Sequence, residues 1–463
     1  MSSRNFNQST AALKIRLKQA VDAGRPLWVR PWIAPTAWTS GQTVQVGEVR
    51  KNSATPAQWY IAIAQGGVCG ATEPSQTNGS AAWDGTANAS VLWTHLGGAA
   101  DWADADDTAK PTVTIGTTST PSGLTALDVW VNRSLFTLNG YYAAQYNTSN
   151  IRLKVFDSKS GTTKSGGGSV AFWSDAPKIG FKPLGGNEGA RVFVDGRPIT
   201  VDPINVNTGN STWFTVDWGV RKPRLWELVY GKQDSYFQTI AITSADQVWP
   251  APRPIAMRGV FIGDSYLDGS SYGPFLLGNT LSAHFGRLIG IDDMWRFGIG
   301  GTGLLNPGSG PFYTYRERVP ELLSQSPNAI FVQGSTNDAS YTQAAITTEA
   351  LAFLDAIRAG TSAPVFWFGP APLSGSYSAI QTVDTALAVA VAARPNSNIF
   401  YKSMVTATPP WLTGSHNNAN YSWSSNFAQY IGGDNTHPID KGTIYLAQRM
   451  ASAYASEMLP LVA

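Results

Sequence analysis

The stretch "GVFIGDSYLDG", residues 259–269, runs an apolar segment straight into Gly263-Asp264-Ser265 and then into small and polar residues. A short apolar run closed by turn residues reads as a buried strand. The pattern returns in "DMWRFGIGG" (293–301), "NAIFVQGSTND" (328–338), "APVFWFGPAP" (363–372) and "SNIFYKSM" (397–404), with longer helical segments between. Strand and helix in alternation predict a parallel sheet covered on both faces, so residues 251–463 are expected to form an α/β three-layer sandwich. In such a sheet chemistry gathers beyond the carboxyl ends of the strands. Ser265 would stand at such an end, ahead of a predicted helix in "YGPFLLGNTLSAHFGRLIG" (272–290) whose positive pole favours developing negative charge. Equally, Asp264 and Ser265 could simply close a turn and cap a helix.

Three downstream stretches bear on that choice. In "FGIGGTGLL" (297–305), Gly298, Gly300 and Gly303 satisfy G-x-G-x-x-G, but "LLNPGSGP" follows where a dinucleotide fingerprint must open a helix, so a nucleotide is rejected. Bare backbone at a strand end can instead aim an N–H at an oxyanion, or make an ordinary tight turn. Asn337, ending another strand, can donate to the same oxyanion or belong to a common Asn-Asp turn. In "GDNTHPIDKGTIYLAQRM" (433–450), Pro438 suits the first position of a helix, leaving Asp434 and His437 on the turn before it. At that spacing Asp434 can hold one tautomer of His437 while the other ring nitrogen faces a substrate, although a capping turn explains the motif as well. His95, His284 and His416, the remaining histidines, have no carboxylate so placed.

The order Ser, Gly, Asn, Asp-x-x-His-Pro resembles the four blocks of the SGNH (GDSL-type) hydrolase superfamily over roughly residues 255–460. The resemblance implies a flavodoxin-like sheet and a serine esterase with Ser265 as nucleophile, His437 as base and Asp434 as its orienting acid. It also implies an oxyanion hole of the Ser265 N–H, the Gly301 N–H and the Asn337 amide. Two departures stand out: Ser335 occupies the position two before the Asn where the family usually has Gly, and Gly300 rivals Gly301 as donor. Asp264 is left to shape the turn that presents Ser265.

Upstream, the text divides into an N-terminal helical attachment segment (1–27), a small β module (28–110) and a β-sandwich or jelly roll (111–250). Residues 99–122 read as a linker and 158–169 as a long loop. The β module resembles those of phage tail proteins and, more loosely, chitin-binding modules, so carbohydrate binding or virion attachment is expected of it. Five tryptophans, Trp32, Trp38, Trp59, Trp83 and Trp93, crowd there, as strand and core residues or as sugar-stacking faces. With "VFVDGRPI" (192–199) and "RKPRLWELVYG" (221–231), the sandwich resembles the accessory domain of two-domain carbohydrate esterases.

A formal charge of +2 and the lack of a basic, aromatic-interleaved block argue against nucleic acid. Neither a membrane-length apolar run nor a signal-peptide core is legible, so no membrane insertion is expected and the chain should act from a virion tail or otherwise outside the cell, being cytoplasmic if not virion-associated. One cysteine, Cys69, excludes an internal disulfide and reads as a packing residue. No metal or cofactor is implied. The segment "SHNNANYSWSSNFAQYIGGDNTH" (415–437) is polar with interspersed aromatics, which suits a polyhydroxylated ligand, and Tyr421, Trp423 and Tyr430 are candidate binding residues. The expected substrate is an acetylated polysaccharide on a bacterial surface; a general short-chain esterase or lipase and a non-catalytic glycan-binding tail adhesin are the alternatives. Other tail proteins and further copies of the chain are expected partners.

Overall fold

The computed structural model describes residues 31–458 except 45–47, 63–66, 77–80, 88, 99–109, 140–141, 146–150, 155, 158–162, 165–168, 185–189, 201–203, 205–211, 231–235, 252–256, 270–279, 292, 311–312, 373–376, 396, 409, 414–415, 418–421, 424–425 and 433. The predicted helical segment 1–27 and Tyr421 lie outside the described residues.

The parallel sheet forms as expected. Its strands are β1 (Arg258–Gly263), β2 (Asp293–Gly298), β3 (Ala329–Gln333), β4 (Val365–Phe368) and β5 (Ile399–Lys402), in the spatial order 2-1-3-4-5 with every pairing parallel. Alternation along β1 sends Val260 and Ile262 to one face and Phe261 to the other, which is why the run is continuously apolar. On the Phe261 side lie α2 (Leu281–Ile289) and the C-terminal α7 (Asp440–Met458); α4 (Gln343–Gly360) and α5 (Tyr377–Ala392) cover the other. The strand order reverses between β1 and β3, which opens a crevice at their carboxyl ends.

One helix is added to the prediction and one predicted helix start shifts. A four-residue helix, α1 (Ser265–Asp268), begins at Ser265 itself, with the Asp264 carboxylate accepting the Tyr266 N–H at 3.0 Å. Pro438 does not open α7: it bridges Ile431 in antiparallel fashion, with the Gly432 N–H donating to His437 O and the Ile439 N–H to Tyr430 O. These backbone bonds hold 437–439 extended and delay the helix to Asp440.

The region before 251 is antiparallel β throughout its described strands. Two sheets make the sandwich, one including Lys178–Leu184 and Tyr236–Ile242, the other Ser169–Ser174 and Arg224–Tyr230. Within the segment read as a linker, Thr112–Ile115 pairs with Phe214–Asp217, and within the predicted loop Thr163–Lys164 pairs with Phe156–Asp157. One continuous apolar cluster runs from Phe172, Phe214 and Trp226 of the sandwich to Val260, Trp295 and Val332 of the parallel sheet, and Arg287 of α2 lies over the Phe193 ring at 5.1 Å. The sandwich thus braces the parallel sheet.

A four-stranded sheet forms the small module. Trp59 and Trp93 are buried, and the indole N–H groups of Trp38 and Trp93 donate to Asp84 at 3.1 and 2.9 Å, so these rings build a core. Trp32 serves as an anchor, under the Arg197 guanidinium at 4.0 Å, and its backbone N–H donates to Pro198 O at 3.0 Å. Cys69 is buried, and burial together with Asp84 pushes its thiol up to about 11, which keeps it inert.

Candidate active site

Ser265, Asp434 and His437 meet at the mouth of the β1/β3 crevice. The Ser265 Oγ lies 2.7 Å from His437 Nε2, and His437 Nδ1 lies 2.5 Å from Asp434 Oδ2. Ser265 and His437 are 172 residues apart, whereas the Asp–His contact is local. The other Asp434 oxygen accepts the backbone N–H of Thr436 at 3.1 Å and of His437 at 3.0 Å. Burial alone would raise the Asp434 pKa; the His437 ring and these two amides outweigh it and hold the carboxyl below its ordinary value. An ionised Asp434 fixes the proton of His437 on Nδ1 and leaves Nε2 to take the proton of Ser265. Tyr266 ties this loop to the nucleophile turn, its hydroxyl donating to Thr436 O at 2.5 Å.

Two of the other histidines, His284 and His95, lie elsewhere in the fold. His284 is buried in α2 and burial lowers its pKa to about 3, so it stays neutral at pH 7; the His95 ring engages Gln58 at 2.9 Å in the small module. His416 sits in a two-stranded ribbon opposite Trp423.

The candidate oxyanion donors are distinguished by what already occupies them. Gly300 gives its N–H to Asp268 Oδ2 at 2.9 Å, whereas the Gly301 and Ser265 N–H groups have no acceptor among the described residues. This favours Gly301, at φ +76°, over Gly300. Asn337 stands on the short turn after β3, where its Nδ2 donates to Thr302 O at 2.9 Å and keeps a second hydrogen for a ligand. A Cβ at Gly300 would come within 3.6 Å of Ser265 Cβ, so this loop passes directly beside the nucleophile.

Two glycines of the rejected nucleotide pattern, Gly298 and Gly303, have a packing reason. A Cβ at Gly298 would strike Leu267 Cβ at 2.6 Å and Asp268 N at 2.7 Å. At Gly303 it would overlap Ser335 Oγ and Asp338 Oδ1. Ser335, the family departure, therefore sits in space that Gly303 leaves open.

Two buried charged groups that the sequence reading passed over set the shape of the site. Asp338 accepts the backbone N–H groups of Leu304, Leu305 and Asn306 at 2.7, 3.1 and 3.0 Å, stapling the glycine loop to the Asn337 turn. Arg318 donates to Gly263 O at 3.1 Å, to Phe297 O at 2.5 Å and to Thr302 Oγ1 at 3.1 Å, satisfying carbonyls at the ends of β1 and β2. Burial lowers its pKa to about 10, so it remains charged at neutral pH.

Asp264 is fully buried, and burial raises its pKa from 3.8 to about 6, only partly offset by the Tyr266 amide. The folded protein thus binds this proton more tightly than the unfolded chain, so the contribution to stability is full below pH 3.8 and is lost as pH rises through 6. Asp264→Asn keeps an oxygen for the Tyr266 N–H and removes the titration. The variant should gain on the wild type between those pH values, by on the order of 3 kcal/mol. Urea melts across that range check this; a difference that stays constant with pH refutes it.

Of the candidate binding aromatics, Tyr430 stacks face to face on Tyr445 with centroids 4.1 Å apart and packs against Leu412, Phe427 and Ile431. Trp423 lies in the strand Ser422–Trp423 paired with His416–Asn417; its side chain is outside the described set.

Residues 260–450 match the family model described as GDSL-like Lipase/Acylhydrolase. No curated protein sequence matches the chain. Among solved structures, the salicylyl-acyltransferase SsfX3 from a tetracycline biosynthetic pathway is 12% identical with a TM-score of 0.53, over 73% of this chain and 99% of that one. An active-site mutant of a family two carbohydrate esterase from Clostridium thermocellum is 16% identical with a TM-score of 0.52, over 70% and 98%. A family two carbohydrate esterase from Cellvibrio japonicus is 13% identical with a TM-score of 0.50, over 75% and 98%. At these identities the likeness is one of fold. Its extent along this chain is more than the parallel-sheet domain alone can supply, so it reaches into the preceding β region.

Proposed function

We propose that the GDSL-type acylhydrolase domain of this chain is a serine esterase that removes O-acetyl groups from a polysaccharide. The observation that carries the esterase chemistry is the continuous Asp434–His437–Ser265 hydrogen-bonded relay beside two backbone N–H groups that have no acceptor among the described residues. Ser265 Oγ attacks the ester carbonyl while His437 Nε2 takes its proton. The carbonyl oxygen becomes an oxyanion held by the N–H groups of Ser265 and Gly301 and the Asn337 amide. Collapse breaks the bond to the sugar oxygen, which leaves with the proton from His437 as a hydroxyl. Water, deprotonated by His437, then attacks the acetyl–Ser265 carbonyl; the bond to Ser265 Oγ breaks, Oγ takes the proton back from His437, and acetate leaves.

Support for a carbohydrate substrate is of another kind. The β-sandwich joined to a parallel-sheet domain is an arrangement shared in fold with two family two carbohydrate esterases, and the segment before His437 mixes amide and hydroxyl residues with aromatics. The resemblance of residues 28–110 to tail modules supports a place on a phage or prophage particle acting on bacterial surface glycan.

Acetate release from acetylated bacterial polysaccharides, compared with hydrolysis of acyl esters of increasing chain length, tests the reading. Acetate release that exceeds long-chain hydrolysis supports it. A preference for long acyl chains favours a lipase, and glycan binding with no hydrolysis of any ester favours an adhesin.

A further inference from the structure

Asp268 closes the four-residue helix that Ser265 opens, and its carboxylate meets the glycine loop. Its Oδ2 accepts the Gly300 N–H at 2.9 Å, the only hydrogen bond its side chain makes among the described residues. The end of α1 is itself held: the buried Arg296 donates to the carbonyls of Leu267 at 2.9 Å and Asp268 at 3.1 Å. Backbone contact at Gly298 presses the two loops together, since no side chain fits between it and Leu267 or Asp268.

Two consecutive amides are thereby divided between two tasks. One N–H, that of Gly300, is spent on Asp268; the next, that of Gly301, is left without an acceptor among the described residues. A Gly-Gly pair has more backbone freedom than any other dipeptide, so its peptide plane needs an outside tether if it is to present one N–H in a fixed direction. We propose that Asp268 is the positioning residue of the oxyanion hole: its bond to the Gly300 N–H fixes the 299–300 peptide, the plane from which the chain turns through Gly300 into the 300–301 peptide, and so holds the Gly301 N–H toward the oxyanion formed on attack by Ser265. This rests on the esterase reading above. The useful part of Asp268 is its acceptor oxygen, because a negative charge close to a developing oxyanion opposes it.

Asp268→Ala and Asp268→Asn, each normalised by active-site titration and measured on an acetyl ester beside Ser265→Ala, test the assignment. Alanine removes the acceptor, and kcat is expected to fall about 10- to 100-fold with KM within about threefold. Affinity for a boronic acid that mimics the tetrahedral intermediate should fall in the same proportion. Asparagine keeps an acceptor oxygen and loses the charge, and should hold kcat within about threefold of the wild type or above it. A merely structural role would lower melting temperature and the titratable fraction without this kcat-against-KM split. If Asp268→Ala keeps wild-type kcat while Ser265→Ala is inactive, or if asparagine falls as far as alanine, Asp268 is not the tether and the esterase reading survives. If the wild type hydrolyses no ester, both are overturned.

Discussion

Ser265→Ala is expected to lower kcat for acetyl-ester hydrolysis by about 10⁴-fold or more, because the residual rate then depends on binding and the oxyanion donors alone. His437→Ala should cost as much, and the double variant no more than either, since nucleophile and base act as one unit through their 2.7 Å bond. The Ser265 side chain is small and only its hydroxyl is engaged, so thermal stability should stay close to that of the wild type. Steady-state kinetics with a chromogenic acetate ester, alongside a melting curve, decides the matter; a Ser265→Ala enzyme within tenfold of the wild type would falsify the mechanism.

The second large effect belongs to Asn337. Asn337→Ala removes a donor that is used chiefly in the transition state, and kcat should drop by about 10²- to 10³-fold with little change in KM. Its Nδ2 also latches the glycine loop through Thr302 O at 2.9 Å, so some loss of order around Gly301 adds to the effect. Asn337→Asp separates the roles: it is nearly isosteric but places an acceptor, and at neutral pH a charge, where the oxyanion needs a donor. It should therefore be worse than alanine. Were Asn337→Ala to raise KM at unchanged kcat, the side chain would be a substrate contact and not an oxyanion donor.

The elements legible in the sequence are those whose cause is local. The strands of the parallel sheet announce themselves because a strand buried on both faces must be apolar along its length, as in "GVFI" and "AIFV". The Asp434–His437 pair is legible because three residues of turn suffice to bring the groups together. Elsewhere the local signal misleads: Pro438 marks a helix start only if its neighbours are free of other pairing, and here 430–432 pairs with 437–439 first. Tryptophans near the N-terminus could as well have stacked on sugar; the burial of Trp59 and Trp93 and the Asp84 that Trp38 shares with Trp93 made three of them core.

Asp338 and Arg318 show the limit from the other side. "STND" and "YRERVP" carry charges that in most chains are solvated, and nothing in their neighbourhood foretells a carboxylate gathering three amides or a guanidinium capping two strands. Their partners lie some 20 to 55 residues away, so burial and bonding arise only when the loops close over the sheet.

By itself, then, the sequence determined a parallel α/β sheet behind an antiparallel β region and the identity of Ser265, Asn337, Asp434 and His437 as the groups to watch, because periodicity and short-range spacing are written into the chain. Tertiary structure alone decided that Ser265 and His437 meet, that Gly300 is spent on Asp268 and Gly301 is left for an oxyanion, and that Asp264 lies buried beneath the nucleophile. Hydrogen-bond geometry and desolvation depend on which distant segments come to lie side by side, and only the folded sheet brings them there.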